Sequence, residues 1–165
     1  MKTLYYICLI GLFISCQNSS ESTSNQTQQT EASKQVPTGP EFKSIPQELA
    51  LKIFNEVDLI DYIFHIYPFS MSQDQKPSIQ ANVSYISPEA QSYIPANQKP
   101  IARQFYAIEG NIFLEADVYF SETDQFYVFI QENKPVYANK MSPAGIQFFN
   151  AMISRAMGAV NQGGQ

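Results

Sequence analysis

The chain has no tryptophan, one histidine and two cysteines in 165 residues. Each scarcity removes a class of function. His65, Cys8 and Cys16 together fall short of the four nitrogen and sulfur ligands of a structural zinc site. The seven glycines form neither a Gly-x-Ser-x-Gly run nor a glycine-rich phosphate loop, which removes the usual marks of a serine hydrolase and of a nucleotide site. No cofactor motif is present, and none is expected. Charge is sparse, at 15% of residues, and acids outnumber bases 15 to 10. That balance argues against nucleic acid as a partner. The apolar run from Leu4 to Ile14 is also too short to cross a bilayer, which takes ~20 residues.

What is present begins at the N-terminus. Lys2 supplies one positive charge, Leu4 to Ile14 an apolar stretch, and Ser15 a small residue before Cys16. That order is the n-region, h-region and cleavage site of an export signal. Phe13-Ile14-Ser15-Cys16 resembles the lipobox of bacterial lipoproteins, with Phe13 where leucine is common. The resemblance is confined to these first 16 residues. It implies removal of residues 1–15, a diacylglyceryl group on the Cys16 thiol and a further fatty acyl group, such as palmitate, on the new amine. Two or three acyl chains anchor a protein stably, where one binds reversibly. Gln17 stands where aspartate would imply retention in the inner membrane. The expected address is therefore the cell envelope, at the outer membrane facing the periplasm. Cys8 leaves with the signal and Cys16 carries lipid, so the mature chain has no free thiol and no disulfide.

Residues 17–41 are mostly Gln, Asn, Ser, Thr and Glu, with Val36 the one large apolar side chain. Such a stretch cannot bury enough apolar surface to offset its ordering entropy. With Cys16 it reads as a lipidated, disordered tether that spans ~25–30 Å on average.

Residues 42–158 read as one globular domain, and 159–165 as a flexible tail. Leu49, Ile53 and Val57 recur every four residues and predict a helix from Pro46 to Val57 with Ser44 as cap. Asp58 to Tyr67 favours a strand through its β-branched and aromatic content. Phe69 to Pro77 reads as loop, Ser78 to Ile86 as a short helix, and Ser87 to Pro100 as loop. Gly110-Asn111 is a hairpin signal between two alternating runs. That turn pairs Glu109 with Ile112 and Phe105 with Ala116. A three-residue turn around Glu122-Thr123-Asp124 pairs Phe120 with Phe126 and Val118 with Val128, which keeps one face apolar. A turn at Glu132-Asn133-Lys134 leads into a last strand, Pro135 to Ala138, placed at an edge by its proline. Ser142-Pro143 opens a final helix with a wide apolar face that ends at Gly158. The sum is an α+β domain: an antiparallel meander of about four strands with helices packed on one face.

Two features point to recognition. In this register the second sheet face gathers Tyr106, Phe113, Glu115, Asp117, Tyr119, Tyr127 and Phe129. Aromatic rings beside carboxylates suit stacking on a flat or cationic ligand, or docking an envelope protein. Glu115 and Asp117 also form a same-side carboxylate pair of the kind glycoside hydrolysis uses. The other feature is a pair of proline-flanked loops, Tyr67 to Gln73 and Tyr93 to Pro100. The expected function is a lipid-anchored, non-catalytic binding or assembly module of the cell envelope. The alternative is a small periplasmic enzyme or metal carrier using His65 and Met71, with Met141 as a further soft ligand.

Overall fold

The computed structural model of the protein describes residues 41–162. The expected signal segment, Cys16 and the expected tether up to residue 40 lie outside the described residues, as do 163–165. In chain order the elements are α1 (Gln47–Glu56), β1 (Leu59–Phe64), β2 (Ser70–Gln73), α2 (Lys76–Ser84), β3 (Ile86–Ala90), β4 (Ala102–Ile108), β5 (Asn111–Phe120), β6 (Gln125–Gln131), β7 (Lys134–Met141) and α3 (Pro143–Gln162). The α+β class is as expected, but the sheet is larger. It has seven strands, all antiparallel, in the order β2-β1-β4-β5-β6-β7-β3.

The expected meander is its centre, β4 to β7. The three added strands explain the discrepancy. β1 was legible and continues the sheet beyond β4. β2 lies inside the expected loop Phe69–Pro77, because Ser-Met-Ser-Gln has little apolar content and is held by its backbone ladder to β1. β3 carries Pro88 and pairs with β7 only at Ile86↔Met141 and Ala90↔Asn139. Proline interrupts that ladder where a sheet edge tolerates it. β7 is consequently longer than expected and lies between β6 and β3 rather than at the edge.

Helix α1 starts at Pro46, extended at φ −66° and ψ 148°, with no side-chain cap, so Ser44 does not play that role. Its stripe buries Ile53 and Val57 against the sheet. Pro77 falls in the first turn of α2, which buries Ile79 and Asn82. Ser142 Oγ accepts the Gly145 N–H at 3.2 Å and caps α3, which continues past Gly158 to Gln162. All three helices contribute to one core with Ile60, Tyr62, Tyr106, Leu114 and Tyr127 from the same face of the sheet.

Two registers differ from expectation by one residue. The β4–β5 turn is Glu109-Gly110, at φ 51° and 78°, and pairs Ile108 with Asn111. Positive φ at both central residues is the type I′ geometry that matches strand twist. Phe113 then bulges, since Ala107 pairs with Ile112 and Tyr106 with Leu114. Phe105 therefore faces Glu115, not Ala116. The β5–β6 loop holds four residues, Ser121 to Asp124. Ser121 N–H donates to the Asp124 carbonyl and Asp124 N–H to Ser121 Oγ, both at 3.0 Å. Tyr119 pairs with Phe126 and Val118 with Tyr127. β6 is buried on both faces from Phe126 to Ile130. Its alternation therefore carries no register signal, and loop hydrogen bonding selects the pairing.

The face away from the helices is partly covered as well. Phe42 and Ile94 pack on Tyr119, Phe126, Val128 and Ala138. The Tyr119 and Phe126 rings stack 4.5 Å apart at 7°. The proline-flanked segment Tyr93 to Pro100 thus serves as cover for the sheet, and Gln98 Nε2 ties it to Asp124 Oδ2 at 2.9 Å.

Candidate functional site

The one-residue shifts divide the expected aromatic face. Tyr106, Tyr127 and Phe129 are fully buried beneath the helices. Glu115, Asp117 and Tyr119 project to the other side. The seven-residue surface expected from the sequence therefore does not exist as one patch. Phe113 sits at the bulge under Lys52, whose Nζ lies 5.1 Å from its ring centroid. The carboxylates are already occupied. Arg103 Nε donates to Asp117 Oδ1 at 2.7 Å, its Nη2 to Asp117 Oδ2 at 3.0 Å, and its Nη1 to Glu115 Oε2 at 3.0 Å. Hydrogen bonding to Asp117 raises the Arg103 pKa above its ordinary value. A carboxylate pair bridged by one guanidinium has its charge compensated in place and is a cross-strand tie. Sequence reasoning missed Arg103 because the expected register put Gln104 opposite Asp117.

His65 is exposed just past the end of β1, and its backbone N–H donates to the Ile101 carbonyl at 2.8 Å. Met71 is half-buried on β2, while Met141 is buried on β7. Those strands are first and sixth in the sheet, and Met141 packs beside Gly145 at the start of α3 while Met71 faces Phe148 further along that helix.

Beneath α2 the core holds a buried polar chain. Tyr62 Oη donates to Gln73 Oε1 at 2.8 Å, and Asn82 Nδ2 donates to Tyr62 Oη at 2.7 Å. Tyr106 Oη lies 3.1 Å from Asn82 Oδ1 and 2.6 Å from Gln104 Oε1. A hydroxyl carries one proton and cannot donate to both. Turning the Gln104 amide over lets its NH2 donate to Tyr106 while Tyr106 donates to Asn82, giving one continuous chain. The other amide atom of Gln104 and the Tyr127 hydroxyl are buried without a hydrogen-bond partner among the described residues. Burial raises the Tyr62, Tyr106 and Tyr127 phenols well above the ordinary tyrosine range, with a further rise at Tyr62 and Tyr127 from neighbouring tyrosines. These groups lie inside the core, so their role is to fix α2 on the sheet.

An accessible concave site lies elsewhere. A groove of about 610 Å³ runs between β2 and α3. Pro68, Phe69, Ser70 and Met71 form one wall; Phe148, Ala151, Met152, Arg155 and Ala156 form the other. Packing behind both walls sets their shape. The Phe69 ring stacks on Phe64 at 4.3 Å. Phe148 stacks on Tyr85 at 4.8 Å and meets Phe149 edge-on at 5.4 Å. Arg155 is exposed, and among the described residues it forms no ion pair. An apolar trough with one cation at its rim can hold an apolar group and orient an anionic end. The loop Tyr67 to Gln73, singled out for its prolines and aromatics, supplies one wall. The α3 wall was not legible as a site, because its stripe reads equally well as ordinary core.

Comparison with known protein families, with characterised proteins and with solved structures finds no match.

Proposed function

We propose that this protein is a lipid-anchored, non-catalytic binding module of the bacterial cell envelope, and that the groove between β2 and α3 is its binding site. The export pattern from Met1 to Cys16 supports the address, and the polar tract after it supports a tether. The observation that carries the binding role is the groove itself: an apolar trough whose one charged lining residue is Arg155. Its ligand is an apolar group with an acidic end.

The test is titration with anilinonaphthalene sulfonate, an apolar anion that fluoresces on leaving water. Native protein gives a saturable rise. Ala151→Trp, on an exposed position of the α3 wall, fills the trough and abolishes that rise while leaving the far-ultraviolet circular dichroism unchanged. Arg155→Gln weakens it. An undiminished rise in folded Ala151→Trp would rule the groove out.

A further inference from the structure

The groove runs beside a sheet edge that no described residue pairs with. β2 pairs only with β1, so its outer side is free among the described residues. The opposite edge, β3, carries Pro88, Glu89 and an irregular ladder, the usual devices against strand pairing. β2 is Ser70-Met71-Ser72-Gln73, with no proline and no charge.

The ladder says which backbone groups face outward. His65 N–H donates to the Ile101 carbonyl, so β1 residues two apart from His65 bond towards β4. Leu59 pairs with Ala107, and Asp58 N–H reaches the same Ala107 carbonyl, as at a bulge where the strand begins. Ile60 and Tyr62 then bond towards β2, through their partners Gln73 and Met71. The N–H and C=O groups of Ser70 and Ser72 are left pointing away from the sheet. Met71, between them, pairs with the core-facing Tyr62 and lines the groove.

From this edge we infer that the ligand is an extended polypeptide segment of another protein, added to the sheet as a strand against β2; this rests on the groove being the binding site. Ser70 and Ser72 supply the main-chain bonds, which give affinity without sequence preference. Alternate apolar side chains of the segment enter the groove beside Met71, Phe148 and Met152, because side chains on one face of a strand recur every second residue. Arg155 pairs with an acidic residue or a terminal carboxylate of the segment. A second copy of this chain is the poorer occupant. Its β2, Ser-Met-Ser-Gln, would bring one apolar side chain to the groove, where an alternating apolar segment brings several.

The experiment selects a phage-displayed library of random peptides on the full-length protein in detergent. Enriched sequences alternate apolar residues and carry an acidic residue towards one end. The strongest is synthesised with its backbone intact and with alternate amide nitrogens methylated, which deletes N–H donors while keeping the side chains. Methylation of the bonding edge weakens binding about tenfold or more. So does Ser72→Pro, which removes one outward N–H at an edge position that accepts proline, after a residue already extended as proline requires. Failure to enrich any peptide overturns the inference, as does peptide binding that ignores both changes. Sedimentation showing a dimer that Ser72→Pro dissolves also overturns it, in favour of a second copy. Saturable dye binding that Ala151→Trp abolishes, without peptide binding, leaves the groove standing and removes only its polypeptide ligand.

Discussion

Asn82 Nδ2 donates to Tyr62 Oη at 2.7 Å, joining α2 to β1 through two fully buried side chains. Tyr127 is equally buried on the same face, yet its hydroxyl has no partner among the described residues. The same substitution therefore has different outcomes at the two sites. Tyr62→Phe orphans the Asn82 amide and lowers stability by about 1–3 kcal/mol. Tyr127→Phe removes a desolvated, unbonded group and leaves stability unchanged or raised by about 1 kcal/mol. Urea unfolding of both variants at neutral pH checks the pair.

Alkaline pH should unfold the protein. In the unfolded chain these phenols ionise near pH ~10. In the fold, burial keeps Tyr62, Tyr106 and Tyr127 protonated to higher pH. Above pH ~10 the unfolded state binds fewer protons than the native state. Their contribution is fully present below that pH and is lost as pH rises through and above it. Each phenol contributes a slope of about 1.4 kcal/mol per pH unit, so the three together give about 4. Tyr127→Phe should flatten the loss by about one third. Urea midpoints measured from pH ~9 to ~11 test this.

Two glycines of α3 should respond to alanine with opposite signs. A Cβ on Gly145 would lie 2.7 Å from Met141 Cγ, 2.8 Å from the Tyr85 carbonyl oxygen and 2.9 Å from Tyr85 Cβ. Helix propensity favours alanine by about 1 kcal/mol. Overlap with a carbonyl that also accepts the Ser142 N–H at 2.8 Å outweighs it. Gly145→Ala should cost about 1–3 kcal/mol. A Cβ on Gly158 meets nothing within 4 Å, so Gly158→Ala should stabilise by about 0.5–1 kcal/mol. Thermal melts of the two variants give the comparison.

The anchor is tested at Cys16. Cys16→Ser, expressed in a bacterial host, should no longer incorporate radiolabelled palmitate and should move from the membrane fraction to the soluble fraction. Continued labelling and membrane association would remove the lipoprotein reading.

Recognition of the individual elements depended on how their residues are patterned. The α1 stripe and the Ser142-Pro143 start of α3 were legible because helix periodicity and capping are local properties. β2 and β3 were not. The first is polar and the second contains a proline, and each is a strand only because a neighbour's backbone completes its ladder. Glu109-Gly110 turned in place of Gly110-Asn111, and the bulge at Phe113 then restored the core-facing set on β5 while reversing β4. Tyr106 therefore entered the core and Arg103 came out to Glu115 and Asp117.

By itself the sequence determined the polar tract, the α+β composition and the turn at Glu132-Asn133, and it carries the Lys2-to-Cys16 pattern on which the proposed export rests. Each depends on residues close together in the chain. Tertiary structure decided the register of β4 and β6, the burial of Tyr106, Tyr127 and Phe129, and the groove. β6 is apolar on both faces, so its pattern suits either register, and only the four-residue loop and the cover from Phe42 and Ile94 select one. The groove joins Met71 to Phe148 across more than seventy residues of chain. Its walls come together because β2 closes one edge of the sheet while α3 crosses the same face, a juxtaposition that no local pattern encodes.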